Sequence, residues 1–143
     1  MPQSAFETTN EEIVARNPDV ILTPLWPNAG EGEVTIVDEI YLGLSKIKGV
    51  EVVGPAFTSE RRAPTVSFTM EGMNPIEVCR LLDRRGICAW DGHFYAVRPI
   101  EVLGLLEKGG VTRVGVSLYN TSEEVKRLLE AVSDIAGGRL RGD

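Results

Sequence analysis

The sequence predicts an α+β fold, a two-layer sandwich in which a small, mostly antiparallel sheet is covered by helices on one side. Two observations predict it. From residue 35 onward, segments of helical and strand type follow one another in the order helix, strand, strand, helix, strand, helix, strand, helix. Each predicted helix has one apolar face, so each can cover a sheet.

The clearest strand-to-helix unit covers residues 111–136. Residues 111–118 form an apolar, β-branched run that is typical of a strand and contains one arginine, Arg113. Thr121 and Glu124 have the T-x-x-E spacing of a capping box, which predicts the start of the following helix. A pair of glycines predicts its end.

The other elements are predicted from apolar periodicity and from helix start and stop signals. Asn74 and Pro75 have the residue types of a helix N-cap and first helical position. The further predicted helices are 35–48, 75–85 and 99–107, the further strands are 50–53, 64–70 and 87–90, and 91–96 is a turn.

The domain organisation follows from a change of character near residue 34. Residues 1–34 contain signals for a short helix, a short strand and a loop rich in proline and glycine, so we expect an N-terminal extension or a fused or truncated segment. Residues 35–136 form the predicted domain, and residues 137–143 are expected to be a disordered tail.

Composition excludes several classes of function. A net charge of −6 would repel nucleic-acid phosphates, and no apolar stretch approaches the roughly 20 residues of a membrane span. We therefore expect no nucleic-acid partner, no membrane partner and a cytoplasmic protein. Cys79 and Cys88 agree with a reducing compartment and are predicted to be two buried thiols. His93 is the single histidine, so no metal site is predicted.

Two strings carry a resemblance to a known family. They are R-V-G-x-x-x-Y-N-T-x-E-E-V, beginning at Arg113, and G-H-x-Y-A, beginning at Gly92. With "KGVEVVGP" and "RRAPTVSFTMEGMNPIEVCRLLDRRGICAWDGHFYAV", they resemble the C-terminal small domain of class V aminotransferases. Within that group they are most similar to the cysteine desulfurase-like branch. The resemblance covers about residues 35–136 and implies the C-terminal domain fold of fold-type I enzymes that use pyridoxal phosphate.

The resemblance also implies roles for individual residues. Arg113 would bind the carboxylate of an amino-acid substrate, and His93 and Tyr95 would lie in a mobile turn beside the active site. Asn120 is included with them as a candidate substrate-binding residue. In cysteine desulfurases a catalytic cysteine stands at the position held here by Tyr95, so the resemblance leaves sulfur abstraction in doubt.

The residues themselves leave alternatives open. From the residues alone, Arg113 is better read as a strand residue that points to solvent at a sheet edge, and the resemblance favours the carboxylate ligand. His93 could act as a general base beside Asp91, or be an exposed turn histidine. Asn120 also has the residue type that suits a turn, because asparagine tolerates the left-handed conformation.

The family's cofactor needs a Schiff-base lysine and a phosphate cup on a large domain. The four lysines lie near predicted helix ends or on polar helix faces, and no glycine-rich phosphate loop is present. We therefore predict that no cofactor is bound by this chain alone.

Three functions remain open at this point. The preferred one is an isolated or truncated small domain of a class V enzyme, inactive alone. The alternatives are a module that binds a small carboxylate or a protein, and a subunit of a split enzyme. The expected partners are an amino-acid carboxylate and a second copy of the chain, through faces that a large domain normally covers. Trp90, Phe94 and Tyr95 are predicted to form an exposed aromatic patch there.

Overall fold

The computed structural model describes residues 31–54, 63–117 and 119–139 of the chain. Within these ranges it contains four α-helices, one short 3-10 helix and four strands. In chain order they are α1 (Glu31–Leu44), β1 (Val50–Val53), β2 (Thr65–Met70), α2 (Pro75–Asp83), β3 (Trp90–Gly92), α3 (Val97–Val102), the 3-10 helix (Leu106–Lys108), β4 (Val111–Gly115) and α4 (Ser122–Ala136).

The four strands form one sheet in the order β1-β2-β4-β3. Every neighbouring pair is antiparallel. In the central pair, Val66 of β2 lies opposite Val114 of β4, and Phe68 lies opposite Thr112. The predicted α+β fold with a small antiparallel sheet is therefore confirmed.

The main core lies between the sheet and the helices α1, α2 and α4. Its fully buried members include Leu44 of α1, Phe68 of β2, Leu82 of α2 and Val132 of α4. Complete burial of such a side chain contributes roughly 1.5–3 kcal/mol relative to exposure. Helix α4 contributes the apolar face that its periodicity predicts, namely Val125, Leu128, Val132 and Ile135.

Local capping explains why α2 and α4 begin where the sequence predicts. The Oδ1 atom of Asn74 accepts a hydrogen bond from the Ile76 N–H (3.1 Å) at the start of α2. At the start of α4, Thr121 Oγ1 accepts from the Glu124 N–H (3.4 Å), and Glu124 Oε2 accepts from the Thr121 N–H (2.9 Å). These bonds satisfy N–H groups that have no partner inside the helix.

Several predicted boundaries are wrong. The helix expected at 35–48 is instead Glu31–Leu44. The strand expected at 87–90 is instead Trp90–Gly92, because the Ile87 N–H still bonds to the Leu82 carbonyl (3.1 Å) at the end of α2. The helix expected at 99–107 is interrupted at Gly104, whose φ of 68° is left-handed. The strand expected to reach residue 118 ends at Gly115, opposite the first residue of β2.

The two predicted terminal segments lie largely outside the described residues. Of the predicted extension, residues 1–30 are not described, and α1 begins at Glu31, before the expected start at residue 35. Of the predicted tail, residues 137–139 form a turn, in which Arg139 Nε lies 2.9 Å from Asp134 Oδ1. Residues 140–143 are not described. Among the described helices, none is long and apolar enough to cross a membrane.

Candidate functional site

Arg113 lies in the interior of the sheet. Its backbone pairs with Ser67 of β2 on one side and with Trp90 of β3 on the other, and Ser67 in turn pairs with Val53 of β1. Side chains alternate along a strand and Val114 belongs to the main core, so this row lies on the opposite face of the sheet. We call the face that carries this row the far face. The sheet-edge alternative for Arg113 is wrong, because β4 has a strand on both sides.

The Arg113 side chain is half-buried, and among the described residues it has no ion-pair or hydrogen-bond partner for its guanidinium. Partial burial lowers the pKa of Arg113 because it removes water from the charged form. Arginine nevertheless stays charged at neutral pH. The far face therefore presents a cation whose hydrogen-bond donors are not used by an acidic side chain of the described chain.

One aromatic ring covers this cation. The centroid of the Phe94 ring lies 3.8 Å from Arg113 Cζ, well within the range of a cation–π contact. Such a contact uses the flat face of the guanidinium and leaves the N–H groups at its edge free. The Phe94 contact and carboxylate binding by Arg113 are therefore compatible.

The turn that carries Phe94 has an uncommon backbone. Phe94 and Tyr95 have φ angles of 52° and 63°, both left-handed, and neither residue is glycine or asparagine. The Ala96 N–H donates to the His93 carbonyl (2.7 Å), which closes a four-residue turn with positive φ at both central positions. Positions of this kind cost of order 1–3 kcal/mol each and persist only where the surroundings hold them.

The His93 side chain stabilises this turn by a hydrogen bond to the turn's own backbone. It is exposed, and its Nδ1 atom accepts a hydrogen bond from the Tyr95 N–H (3.2 Å). An accepting Nδ1 leaves the proton of the neutral ring on Nε2, so that Nε2 is a donor. The pairing of His93 with Asp91 is not found among the described residues. Asp91 instead lies beside Cys79, on the helix-covered side of the sheet.

Of the three aromatic side chains predicted to be exposed near this turn, two are exposed. Trp90 is 71% exposed and Tyr95 is 98% exposed. Phe94 is half-buried because its ring lies over Arg113. We call Trp90 and Tyr95, the exposed aromatic side chains on either side of Phe94 in the sequence, the aromatic rim.

Asn120 has a structural environment of its own. Its Oδ1 atom accepts a hydrogen bond from the Ser117 N–H (2.8 Å), and its Nδ2 atom donates to Glu124 Oε2 (3.2 Å). Both polar ends of the side chain thus connect the end of β4 to the capping box of α4. This geometry favours the turn-forming interpretation of Asn120 over direct contact with a substrate.

The two cysteines differ from the prediction that both are buried. Cys79 is half-buried, and burial, with a smaller contribution from Asp91, raises the pKa of its thiol to about 11. Cys88 is exposed, because the segment before β3 does not enter the sheet. Cys79 is therefore a structural thiol, whereas Cys88 is accessible.

The residues that the structure describes do not fit a pyridoxal phosphate site. All four lysines of the chain, Lys46, Lys48, Lys108 and Lys126, are exposed, whereas a Schiff-base lysine must stand in a shaped pocket. The starts of α2 and α4 are used internally, by the Asn74 side chain at α2 and by the Glu124 carboxylate at α4, and are not open to a phosphate group. No step of the chemistry can be assigned to a cofactor held by these residues.

The contact of the Phe94 ring with Arg113 is not predicted from the sequence, although the neighbouring His93 and Tyr95 are candidate site residues. No glycine or asparagine stands at the centre of the turn, so the sequence has no signal for a left-handed pair at 94–95. The approach of the ring to Arg113 depends on the pairing of β3 with β4, which brings the turn to the arginine.

The fold and the site define a small, two-layer α+β domain that presents one half-buried arginine on the far face of its sheet. The chain belongs to the aminotransferase class-V family, whose model matches residues 28–128. This confirms the resemblance that the two sequence strings carry. The family of class V aminotransferases and cysteine desulfurases depends on pyridoxal phosphate.

Two relatives named "Probable cysteine desulfurase" illustrate the extent of the match. The protein from Methanothermobacter thermautotrophicus is 35% identical over 103 residues, which are 71% of this chain and 25% of the relative. The protein from Mycolicibacterium paratuberculosis is 36% identical over 95 residues, 66% of this chain and 13% of the relative. The chain thus spans a quarter or less of these relatives.

Solved structures agree with this extent. An apo cysteine desulfurase from Thermococcus onnurineus NA1 matches with a TM-score of 0.68 and 29% identity, over 74% of this chain and 25% of that one. The cysteine desulfurase CsdA from Escherichia coli matches with a TM-score of 0.63 and 23% identity, over 76% of this chain and 25% of that one. The second likeness concerns the fold alone.

Proposed function

We propose that this chain acts as the small domain of a pyridoxal-phosphate-dependent enzyme of the class-V family and that Arg113 binds the carboxylate of an amino-acid substrate. The observation that carries the proposal is that the Arg113 guanidinium has no acidic partner among the described residues. This guanidinium is half-buried on the far face, in a chain that has 21 acidic side chains.

A guanidinium in this position suits a carboxylate for two reasons. Its parallel N–H groups match the two oxygens of a carboxylate, and charge-assisted hydrogen bonds of this kind are about twice as strong as neutral ones. Partial burial also removes competing water, so that each hydrogen bond is stronger than it would be on an open surface.

We further propose that the chain has no activity without a large domain, on the same or on another chain. The exposed lysines support this, because none stands where a Schiff base could be protected from water. The pyridoxal phosphate and its lysine would then come from the large domain, and this chain would contribute the arginine.

The chemistry we propose does not pass through a persulfide on the 93–96 turn. Tyr95 stands where cysteine desulfurases have their catalytic cysteine, and a phenol cannot accept sulfur as a thiolate does. Cys88 is exposed but precedes β3, whereas the turn follows β3. The substrate class is thus an amino acid, with a reaction that does not need a thiol on this turn.

The experiment that tests carboxylate binding uses the fluorescence of Trp90, which is paired with Arg113 across two strands. Trp26 is replaced by phenylalanine so that one tryptophan reports. L-alanine and L-cysteine are titrated into this chain and into its Arg113→Lys and Arg113→Ala forms. We expect saturable binding that Arg113→Lys weakens and Arg113→Ala abolishes; equal binding by all three would overturn the role of Arg113.

A second experiment tests the lack of activity. The purified chain is mixed with pyridoxal phosphate and an amino acid, and the visible absorbance and the products are followed. We expect no lysine-dependent aldimine band and no turnover. Turnover that disappears when one lysine is replaced would contradict the proposal.

A second candidate function is association, either with another copy of the chain or with a large-domain subunit of a split enzyme. The observation that favours it is the exposed aromatic rim formed by Trp90 and Tyr95, since large exposed apolar groups mark contact surfaces. Light scattering over a range of concentrations would detect a homodimer that a Trp90→Ala change weakens. Co-purification from the native cell would detect a large-domain partner.

We also propose that the protein is cytoplasmic; the free thiols of Cys79 and Cys88 are compatible with a reducing compartment.

A further inference from the structure

The geometry points to Phe94 as a positioning residue for Arg113: its ring holds the guanidinium in one orientation before a carboxylate arrives. This inference rests on the proposed function of Arg113. Phe94 contacts the arginine and does not contact the reacting atoms. The left-handed turn at 94–95 would then serve to place the Phe94 ring.

The first support is the backbone of the turn. Two neighbouring non-glycine residues, Phe94 and Tyr95, have positive φ, which a free peptide of this sequence would avoid. Of the turn's aromatic side chains, Tyr95 gains nothing from this arrangement, because it is 98% exposed. Phe94 is the one brought into contact, with its ring centroid 3.8 Å from Arg113 Cζ. The strain of the turn thus coincides with the placement of this one ring.

The second support is that the turn is held from several sides. The His93 carbonyl accepts from the Ala96 N–H (2.7 Å), and the His93 Nδ1 atom accepts from the Tyr95 N–H (3.2 Å). Upstream, β3 is paired with β4 through Trp90 and Arg113. These contacts make the position of the ring relative to the arginine a property of the fold.

The third support is the chemistry of the ring. An acidic residue in the place of Phe94 would also orient Arg113, but it would neutralise the charge and use the N–H donors. A phenyl ring offers no acceptor lone pair and contacts the face of the guanidinium. It therefore restricts the side chain and leaves its donors available. Restricting a flexible side chain in advance lowers the entropy that ligand binding must otherwise remove.

The test begins with the Arg113 side chain itself, observed by NMR in the full chain. Its guanidinium signal is identified by its absence in Arg113→Lys. Three variants of the turn are compared with the unchanged chain. Phe94→Tyr keeps an aromatic ring, Phe94→Leu removes it, and Phe94→Asn removes it with a residue that tolerates positive φ. The asparagine variant keeps the test valid where the leucine variant does not fold.

We expect the Arg113 side-chain protons to show the upfield shift that a ring face produces, in the unchanged chain and in Phe94→Tyr. The shift and the narrow distribution of side-chain conformers should disappear in Phe94→Asn and Phe94→Leu. An Arg113 signal that is the same with and without the ring would overturn the inference.

The amino-acid titration supplies the second readout. Removal of the ring should weaken binding about two- to fivefold, the size of an exposed cation–π contact, and Phe94→Tyr should restore it. If Arg113→Ala abolishes binding but the Phe94 variants bind normally, the positioning role is wrong and the proposed function stands. If the unchanged chain binds no carboxylate, or Arg113→Ala still binds, the proposed function fails, and the NMR shift alone decides whether Phe94 orients Arg113.

Discussion

Gly110 lies so close to Gly92 that a Cβ atom on Gly110 would overlap the Gly92 carbonyl group. Gly110 also has a left-handed φ of 88°. Gly92 leads into the turn that carries Phe94, and Gly110 immediately precedes the strand that carries Arg113. The close approach of these two backbones therefore helps to set the distance between the turn and the arginine.

We predict that Gly110→Ala lowers the free energy of unfolding by about 1–3 kcal/mol, because the methyl group must displace backbone. The matched control is Gly72→Ala. Gly72 also has a positive φ of 69°, but nothing lies within 4 Å of the position of its Cβ. Urea denaturation of both variants separates the overlap from the cost of the backbone angle. Equal losses at the two positions would contradict the overlap.

A second prediction concerns the core. Leu82 of α2 is fully buried, whereas Leu42 of α1 is 55% exposed. Leu82→Ala should lower the free energy of unfolding by about 2–5 kcal/mol, because it removes buried methyl groups and leaves a cavity. The same substitution at Leu42 should change it by less than about 0.5 kcal/mol. Chemical denaturation of both variants is the measurement, and similar losses would show that the helices pack differently.

A third prediction concerns pH. The hydrogen bond from the Thr121 backbone N–H, followed by that from Asn120, holds the pKa of Glu124 below its ordinary value of 4.5. The ionised carboxylate therefore stabilises the folded state above the pKa of the unfolded chain, and this contribution is lost as pH falls through the lower folded value. The stability of the unchanged chain and of Glu124→Gln should differ at neutral pH and converge well below pH 4.5.

The control for this prediction is Glu123→Gln, one position earlier in the same helix. Glu123 makes a surface ion pair with Lys126 (3.5 Å) and does not accept the capping hydrogen bond. Its substitution removes a carboxylate from the first turn of α4 and leaves the capping hydrogen bonds of Thr121 and Glu124 in place. Thermal unfolding followed by circular dichroism across the acidic range compares the three proteins. A Glu124→Gln curve parallel to that of the unchanged chain would contradict the role of the capping carboxylate.

A fourth prediction concerns the thiols. With a pKa of about 11, roughly one Cys79 thiol in a thousand is ionised at pH 8, and the side chain is half-buried. Iodoacetamide should therefore label Cys88 in the folded chain and spare Cys79. Peptide mass spectrometry reads the two sites, and denatured protein should be labelled at both. Rapid labelling of Cys79 in a folded Cys88→Ser chain would show that α2 opens.

Much of the fold could be read from local signals. The capping box of Thr121 and Glu124 and the Asn74 cap involve atoms within three residues of each other, so a short window contains all that is needed to predict them. The apolar face of α4 follows from a period of 3.6 residues. The family resemblance, which the family model confirms, could also be recognised locally, because it rests on strings of contiguous residues that begin at Arg113 and Gly92.

Predictions were less accurate where two neighbouring elements compete for the same backbone N–H groups. Residues 87–90 have the composition of a strand, but the Ile87 N–H is used by the end of α2, so β3 begins only at Trp90. Cys88 is exposed as a consequence and not buried as predicted. Of the two alternatives for His93, the structure agrees with the exposed turn histidine, because alternation in β3 turns the Asp91 side chain toward Cys79.

The residue types alone identify an arginine in an apolar strand, a turn containing His93 and Tyr95, and a helix start after Asn120, because each is encoded within a few neighbouring positions. The order of the strands, the burial of Arg113 in the middle of the sheet and the ring of Phe94 above it arise from pairing between segments some twenty to fifty residues apart. Contacts between distant segments are selected by the packing of the whole chain, and no local pattern contains that information.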